Sequence, residues 1–541
     1  MTTASKHDDR RPAAGSPGGV PAGARSRRSM LALAAVEGGR LLRHPAVLAA
    51  TALCVWLLWR WGRDTAPVLH YADIATQVAL APLAGAALLA TNLAVLRPHR
   101  DGAVDLYGAT RLSLARRTLA HLLSVLPLVA LGGVLVVADL AWLSGMPGSV
   151  GTPHLAEAAT GPALIALGGC LGVLLGRLWR SVAIAPLALA ALAVGSLTLA
   201  ELQVGGHDQR AWTWLGALLR PVTIDPPPAA LLGRPATWHL VYLLGITVAL
   251  GALAVWRSQA RAWARRRAQV AAALVLVAGL AATTGAAVAQ TRPTSPALAA
   301  RRLAAVNNPA AELVCQRRGP AVYCVFPGFE PQIGLWEPIV QAVVASVPPA
   351  AAAPALPVTV AQRIGWHRFM EESGPAGEGS PPQGPPVAPV GTAWGPALAQ
   401  ARLATNVAAR LIGPPSRGQG EQPGWNPCNA QGAVALWLAA QASPHAAEGL
   451  RQAFTDAPSE SETLALPNDP DLDDPWWGVR AGRFALTLLD RPPDQVAQAL
   501  WRDWDLVTAP ETTLERLGEV LGVQPPPADG LNLAGSGGAG C

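Results

Sequence analysis

Seven apolar stretches dominate the first 290 residues of this 541-residue chain, over 44–61, 72–96, 118–144, 158–177, 181–201, 236–256 and 268–290. Each is close to the roughly 20 residues that a helix needs to cross a bilayer. Composition agrees, since 14% of the residues are charged and 51% hydrophobic, against about 25% charged in a soluble globular protein. The first stretch ends in Trp59-Arg60-Trp61, an aromatic anchor with a snorkelling arginine. In the fourth, Gly168, Gly172 and Gly176 recur every four residues and form a small-residue stripe that lets a neighbouring helix approach closely. Pro82, Pro127 and Pro186 fall inside stretches, where neighbouring helices re-satisfy the carbonyls that proline frees.

Charge separates the chain into two parts. Residues 1–290 carry 25 Arg and Lys against 12 Asp and Glu, whereas residues 291–541 carry 16 against 23. The basic excess therefore belongs to the apolar half, where it sets orientation and calls for no nucleic-acid partner. The tail to residue 43 and the connections 97–117, 177–180 and 257–267 hold 20 Arg and Lys, and the alternate connections hold five. The bias puts the N-terminus in the cytoplasm, and seven crossings put residues 291–541 outside the plasma membrane.

Lys6 is the only lysine, and it lies in a polar tail. A phosphate-binding P-loop and a buried Schiff-base lysine are both excluded, so ATP hydrolysis, if used, resides on another polypeptide. Residues 1–28 read as a disordered tail. Ser26-Arg27-Arg28 has the look of a twin-arginine signal, but the apolar run after it breaks at Glu37-Gly38-Gly39-Arg40. Residues 29–43 read as an amphipathic helix along the cytoplasmic surface, with Arg40 and Arg43 toward headgroups. Within 202–235, the apolar run Ala211–Leu219 fits either a re-entrant element or a surface helix at headgroup depth.

After residue 290 the long apolar runs stop, and the pattern predicts an α-rich α+β soluble domain over 291–541. Two short strands flank Arg318-Gly319-Pro320, and Cys315 and Cys324 face each other across that turn. In an oxidising compartment they close a disulfide; the other reading is two half-buried thiols. Cys54 and Cys170 read as small apolar residues within spans, and Cys428 and Cys541 have no obvious partners. Residues 347–357 and 374–396 read as linkers or surface loops. Helices are expected over 397–412, from 429, and over 476–489, 494–504 and 511–521, with Thr512-Thr513-Leu514-Glu515 as a starting box and Asp494 opening its helix.

Motifs for hydrolytic chemistry are missing. There is no His-Glu-x-x-His pair and no Gly-x-Ser-x-Gly elbow, and the domain's two histidines, His367 and His445, are far apart. Asp469, Asp471, Asp473 and Asp474 lack the glycine and distant glutamate of a calcium loop and read as a solvated segment. No metal, cofactor or catalytic residue is expected. In the apolar half, Asp73, His121, Asp139 and His239 are the notable ionisable groups. A charge at membrane depth is costly unless it faces water or a partner. Asp73, His121 and His239 lie near enough to span ends to reach the interface, which leaves Asp139 as the first candidate.

The connection after the second span runs Arg97-Pro98-His99-Arg100-Asp101-Gly102-Ala103-Val104-Asp105-Leu106-Tyr107 and continues through Arg111 to Arg116-Arg117. With a cytoplasmic N-terminus, a surface helix and six spans, this resembles the permease subunit of ABC-2 type transporters over residues 29–256. The resemblance implies that the loop docks on a separate ABC ATPase, with Arg100, Gly102, Asp105, Leu106 and Arg111 as coupling residues. It also implies pairing with a second permease subunit and export of a substrate. A basic loop of any cytoplasmic face is the competing reading. The seventh span and outer domain depart from the basic pattern. Some such permeases carry an outer domain related to M1 aminopeptidases, but the zinc motif is absent here, so no catalytic residue is carried over. The alternatives are a membrane-anchored sensor or assembly factor and, further off, a tethered hydrolase.

Overall fold

The computed structural model describes residues 22–63, 65–105, 112–202, 215–216, 226–259, 266–293, 295–364, 387–395, 397–413, 426–455, 463–464, 466 and 477–527. Helix α1 spans Ala22–Leu42, α2 Pro45–Gly62, α3 Leu69–Arg100, α4 Leu114–Leu123, α5 Leu126–Ser144, α6 Thr160–Leu178, α7 Ile184–Leu202, α8 Ala236–Arg257 and α9 Arg266–Gln290. Among the described residues, six segments are long and apolar enough to cross a membrane: α2, α3, α4 with α5, Leu155–Leu178 (which includes α6), α8 and α9. Within α7, the portion Ile184–Thr198 forms a shorter apolar helix. All seven coincide with stretches expected from the sequence. The third is broken at Ser124-Val125, just before Pro127, whose missing N–H falls in the first turn of α5, where it costs no helical bond.

Helix α3 is the axis of the bundle. It packs on α6, α2 and α5, and both Leu80 and Leu83 are fully buried. Gly168 and Gly172 of α6 lie directly against it. A Cβ at Gly168 would come within 2.3 Å of the Ala84 carbonyl oxygen, and one at Gly172 within 2.2 Å of that of Leu88. Across this close seam Thr91 donates its hydroxyl to the Gly169 carbonyl at 3.0 Å. The stripe legible in the sequence is thus the α3–α6 contact. A similar pair joins α8 to α9, where Gly245 and Gly279 face each other.

Helix α1 begins at Ala22, so residues 22–28 are helical rather than part of a disordered tail. It packs against α4 and α5, with Ala34, Glu37 and Leu41 buried. The Arg40 side chain is 57% exposed and pairs with Glu37 at 2.8 Å.

The connections sort to two ends of the bundle. At one end Arg97 pairs with Glu37 at 2.8 Å, Thr118 bonds Ser258 at 2.8 Å and Gln269 bonds the Gln259 carbonyl at 3.0 Å. At the other, Leu69 N–H donates to Val150 O at 2.9 Å and Ala66 N–H to Trp394 O at 2.6 Å. The described parts of the arginine-rich connections share the first end, and the domain after residue 290 sits on the second.

That domain starts with α10 (Pro296–Asn307) and contains a sheet ordered β1 (Val314–Arg318), β2 (Ala321–Val325), β3 (Val358–Gln362) and β4 (Ala388–Val390). The first pair is antiparallel and the next two are parallel. Helices α11 (Ile333–Ala345), α12 (Leu398–Ile412), α13 (Ala430–Ala440), α14 (Pro444–Thr455), α15 (Val479–Leu489), α16 (Pro493–Arg502) and α17 (Leu514–Leu521) complete it. Every residue of α13 is buried. A helix of this length that is buried on every side is the centre of a core, not a span. One hydrophobic core runs through the domain and takes in Val68, Val150 and Leu231 from the bundle's connections. The domain is therefore seated on the bundle through a shared core.

The Arg-Gly-Pro hairpin forms as expected, with Cys315 opposite Cys324 and a disulfide between them. Cys428, for which no partner was evident, is also disulfide-bonded. Residues 388–390, expected in a loop, form the buried edge strand β4 beside β3. Residues 349–355 form short helical turns where a linker was expected. Trp477-Gly478 pairs as a strand with Thr463-Leu464, so α15 begins at Val479 and not at 476. The cap of α17 is Thr513, which accepts from Arg516 N–H, and not a Thr512–Glu515 box.

Candidate functional site

Ionisable side chains converge where the bundle meets the C-terminal domain. The first turns of α3 supply His70, Asp73 and Gln77, the approach to α6 supplies Glu157, and the segment before α8 supplies Arg234. Arg234 Nη1 lies 2.9 Å from Glu157 Oε2 and 3.9 Å from Asp73 Oδ1, and it also donates to the His70 carbonyl at 3.3 Å. The His154 N–H donates to Asp73 Oδ2 at 2.8 Å. His70 Nε2 is 2.9 Å from the Pro227 carbonyl, and the Arg234 guanidinium lies over the Tyr71 ring at 5.6 Å. Asp73 is 0% exposed and Glu157 is 5% exposed. Two carboxylates thus share one guanidinium away from solvent. Such a cluster persists only when its members are paired, because an isolated buried charge is strongly unfavourable.

Asp73 was expected to reach the interface, as were His121 and His239, and all three are instead buried in protein. Each sits near the end of a span, but other chain segments cover those ends. Glu157, Arg234 and His70 were not singled out from the sequence. Glu157 and Arg234 each stand just before a span on the arginine-poor side. Their nearness in the chain to span ends at the depth of Asp73 was the available signal.

Asp139 lies on α5, 9% exposed, and no described residue forms a hydrogen bond or ion pair with it. It faces a partly open cavity of about 220 Å³ walled by Leu58, Trp61, Tyr71, Ala72, Leu143 and Ala393. The last of these belongs to the C-terminal domain, so the cavity is at the same junction as the ionic cluster, and Tyr71 borders both.

At the opposite end, Arg100, Gly102 and Asp105 are exposed. Gly102 has φ +64°, and the Ala103 N–H closes on the Pro98 carbonyl at 3.0 Å. This is the geometry of a glycine that ends a helix, so α3 needs Gly102 whatever else the loop does. Leu106 and Arg111 lie outside the described residues, as do His367, the aspartates at 469–474 and most of the Ala211–Leu219 run. His445 is exposed and pairs with Glu448 at 3.4 Å.

In the C-terminal domain the buried polar contacts are structural. Gln362 Oε1 accepts from the Phe326 N–H at 2.8 Å, and Gln332 donates to the Thr392 carbonyl at 3.2 Å. Arg302 of α10 donates to the carbonyls of Leu231 and Leu232 at 2.8 and 2.7 Å, which pins the domain to the connection before α8. Burial pushes the Tyr323 phenol up to about 12. Among the described residues no three His, Cys, Asp or Glu side chains form a group that could hold a metal. Compared with protein-family models, curated proteins and solved structures, the chain matches none of them significantly.

Proposed function

We propose that this chain is the permease subunit of an ABC-type exporter, with its arginine-rich end in the cytoplasm, its C-terminal domain outside and ATP hydrolysis on a separate chain. The observation that carries this reading is the continuity of α3. Its 32 residues amount to a rod about 48 Å long at 1.5 Å per residue. One end of the rod holds Arg97, Arg100 and the exposed turn at Gly102, and the other holds Asp73 in the ionic cluster beneath the outer domain. A push on the loop at 100–105 from an ATPase would travel along a packed helix to the junction. Glu37 ties α1 to the same end of the rod, so the surface helix would move with it. A homodimer or heterodimer with a second permease subunit would complete the path.

The arginine bias supports this sidedness through the positive-inside rule, and a disulfide in the C-terminal domain fits an oxidising compartment. A second reading, a membrane-anchored sensor, is favoured by the core shared between the domain and Val68, Val150 and Leu231. Through such a core, a ligand on the domain would be felt by the bundle.

Two measurements separate the readings. A cysteine placed at Asp105 should resist a membrane-impermeant maleimide in intact cells, and one placed at exposed Arg491 should react; the reverse pattern sinks the sidedness. Purification of the full chain should bring down an ATPase whose hydrolysis rate changes severalfold with Asp105→Ala. If no ATPase accompanies the chain, the sensor reading takes its place.

A further inference from the structure

We propose that the cavity beside Asp139 is a binding site for an organic monocation: an ammonium group on a benzyl-sized or branched alkyl body. The inference concerns binding alone and stands whether or not the chain couples to an ATPase.

Asp139 is more than nine-tenths buried, and among the described residues it is the only carboxylate in the cavity wall and has no hydrogen-bonding or ionic partner. Asp73, by contrast, is fully buried yet held by Arg234 and a backbone N–H. A lone acidic group at membrane depth is unfavourable unless it meets water or a cation. The Arg234 guanidinium, which lies over the Tyr71 ring that borders the cavity, is engaged by Glu157 and Asp73. Among the described residues, the acidic group in the cavity therefore has no counter-ion.

The rest of the wall decides what kind of cation fits. Leu58, Ala72, Leu143 and Ala393 are apolar, and Trp61 and Tyr71 add aromatic surface. Such a lining strips water from a cation and repays it with π-faces, which suits an alkylated ammonium. A divalent metal needs about six oxygen ligands, which one carboxylate and the Thr65 hydroxyl do not supply. The cavity volume of about 220 Å³ exceeds the roughly 150 Å³ that accommodates benzene. There is room for an aromatic ring with a small quaternary head, and a longer tail would leave through the open side.

The test uses the full-length protein in nanodiscs of zwitterionic lipid, with benzyltrimethylammonium as the probe and neopentylbenzene as its neutral isostere. Binding is read by saturation-transfer NMR titration, and folding by the melting temperature of each variant. Saturable binding of the cation is expected, with the neutral isostere failing to displace it. Asp139→Asn should weaken binding about tenfold or more, the scale of one charged contact. Ala72→Phe keeps the charge and fills the space, and should abolish binding at an unchanged melting temperature. The proposal is overturned if no saturable binding occurs below about 10 mM, if Asp139→Asn binds within about twofold of the parent, or if Ala72→Phe still binds.

Discussion

Replacing Arg234 with methionine tests the junction most directly, because one side chain holds two buried carboxylates. Arg234 Nη1 is 2.9 Å from Glu157 and 3.9 Å from Asp73, and the Arg234 side chain is 11% exposed. At an effective dielectric near 20 these contacts amount to about 6 and about 4 kcal/mol of gross attraction. Most of that is offset by the desolvation of all three groups, and removing one member of such a cluster costs about 3–5 kcal/mol net. Treating the chain as one cooperative unit of 541 residues, an unfolding entropy of about 1.1 kcal/mol/K converts that loss to about 3–4 °C in melting temperature. The assay is thermal unfolding in detergent or nanodiscs of Arg234→Met, of Asp73→Asn with Glu157→Gln, and of the triple variant. The triple variant should recover most of what Arg234→Met loses, since no unpaired charge then remains. If Arg234→Met melts with the parent, or if the triple variant falls as far as the single one, the cluster is not a charge-compensated latch and the reasoning fails.

Three further outcomes follow from the same structure. Gly172→Ala places a methyl 2.2 Å from the Leu88 carbonyl oxygen, so α3 and α6 must part, at a cost of about 1–3 kcal/mol seen as a lower melting temperature; Gly133→Ala, with open space around it, should be neutral. Replacing Cys315 and Cys324 with serine opens a loop with a separation of nine residues, which should lower stability by about 2–3 kcal/mol in denaturant titrations, and reduction should affect the parent more than the variant. Arg480 donates to Glu515 at 2.7 Å and holds that carboxyl below its ordinary value. A folded-state value below the unfolded one gives stability above the unfolded value, near pH 4, and loses it as pH falls through the lowered one. The stability gap between the parent and Arg480→Gln should therefore shrink in acid, and a gap that widens there would contradict the assignment.

Much of the apolar half was legible because its signals are local. A span needs only length and hydropathy, so all seven stretches correspond to helices, and the break before Pro127 follows from a ring without an N–H. The glycine stripe at 168, 172 and 176 marked a close seam without naming α3 as its partner. The Cys315–Cys324 hairpin was equally local, with a tight turn and facing positions. Strands β3 and β4 were harder. Val358–Gln362 and Ala388–Val390 are short parallel strands whose partners are distant in the chain, and nothing near them announces the pairing.

The sequence by itself determined which segments are long and apolar enough to cross a membrane, in which connections the arginines gather, and that no P-loop lysine is present, since each depends on residue type and spacing alone. Only the tertiary structure decided that Asp73 is sealed against Arg234 and Glu157 while Asp139 faces a cavity unpaired. The cost of burying a charge is set by what surrounds it, and here the surroundings come from chain segments as much as 161 positions away, as Arg234 is from Asp73. The same holds for the seating of the C-terminal domain, whose core is completed by Val68, Val150 and Leu231, three residues that no local pattern connects.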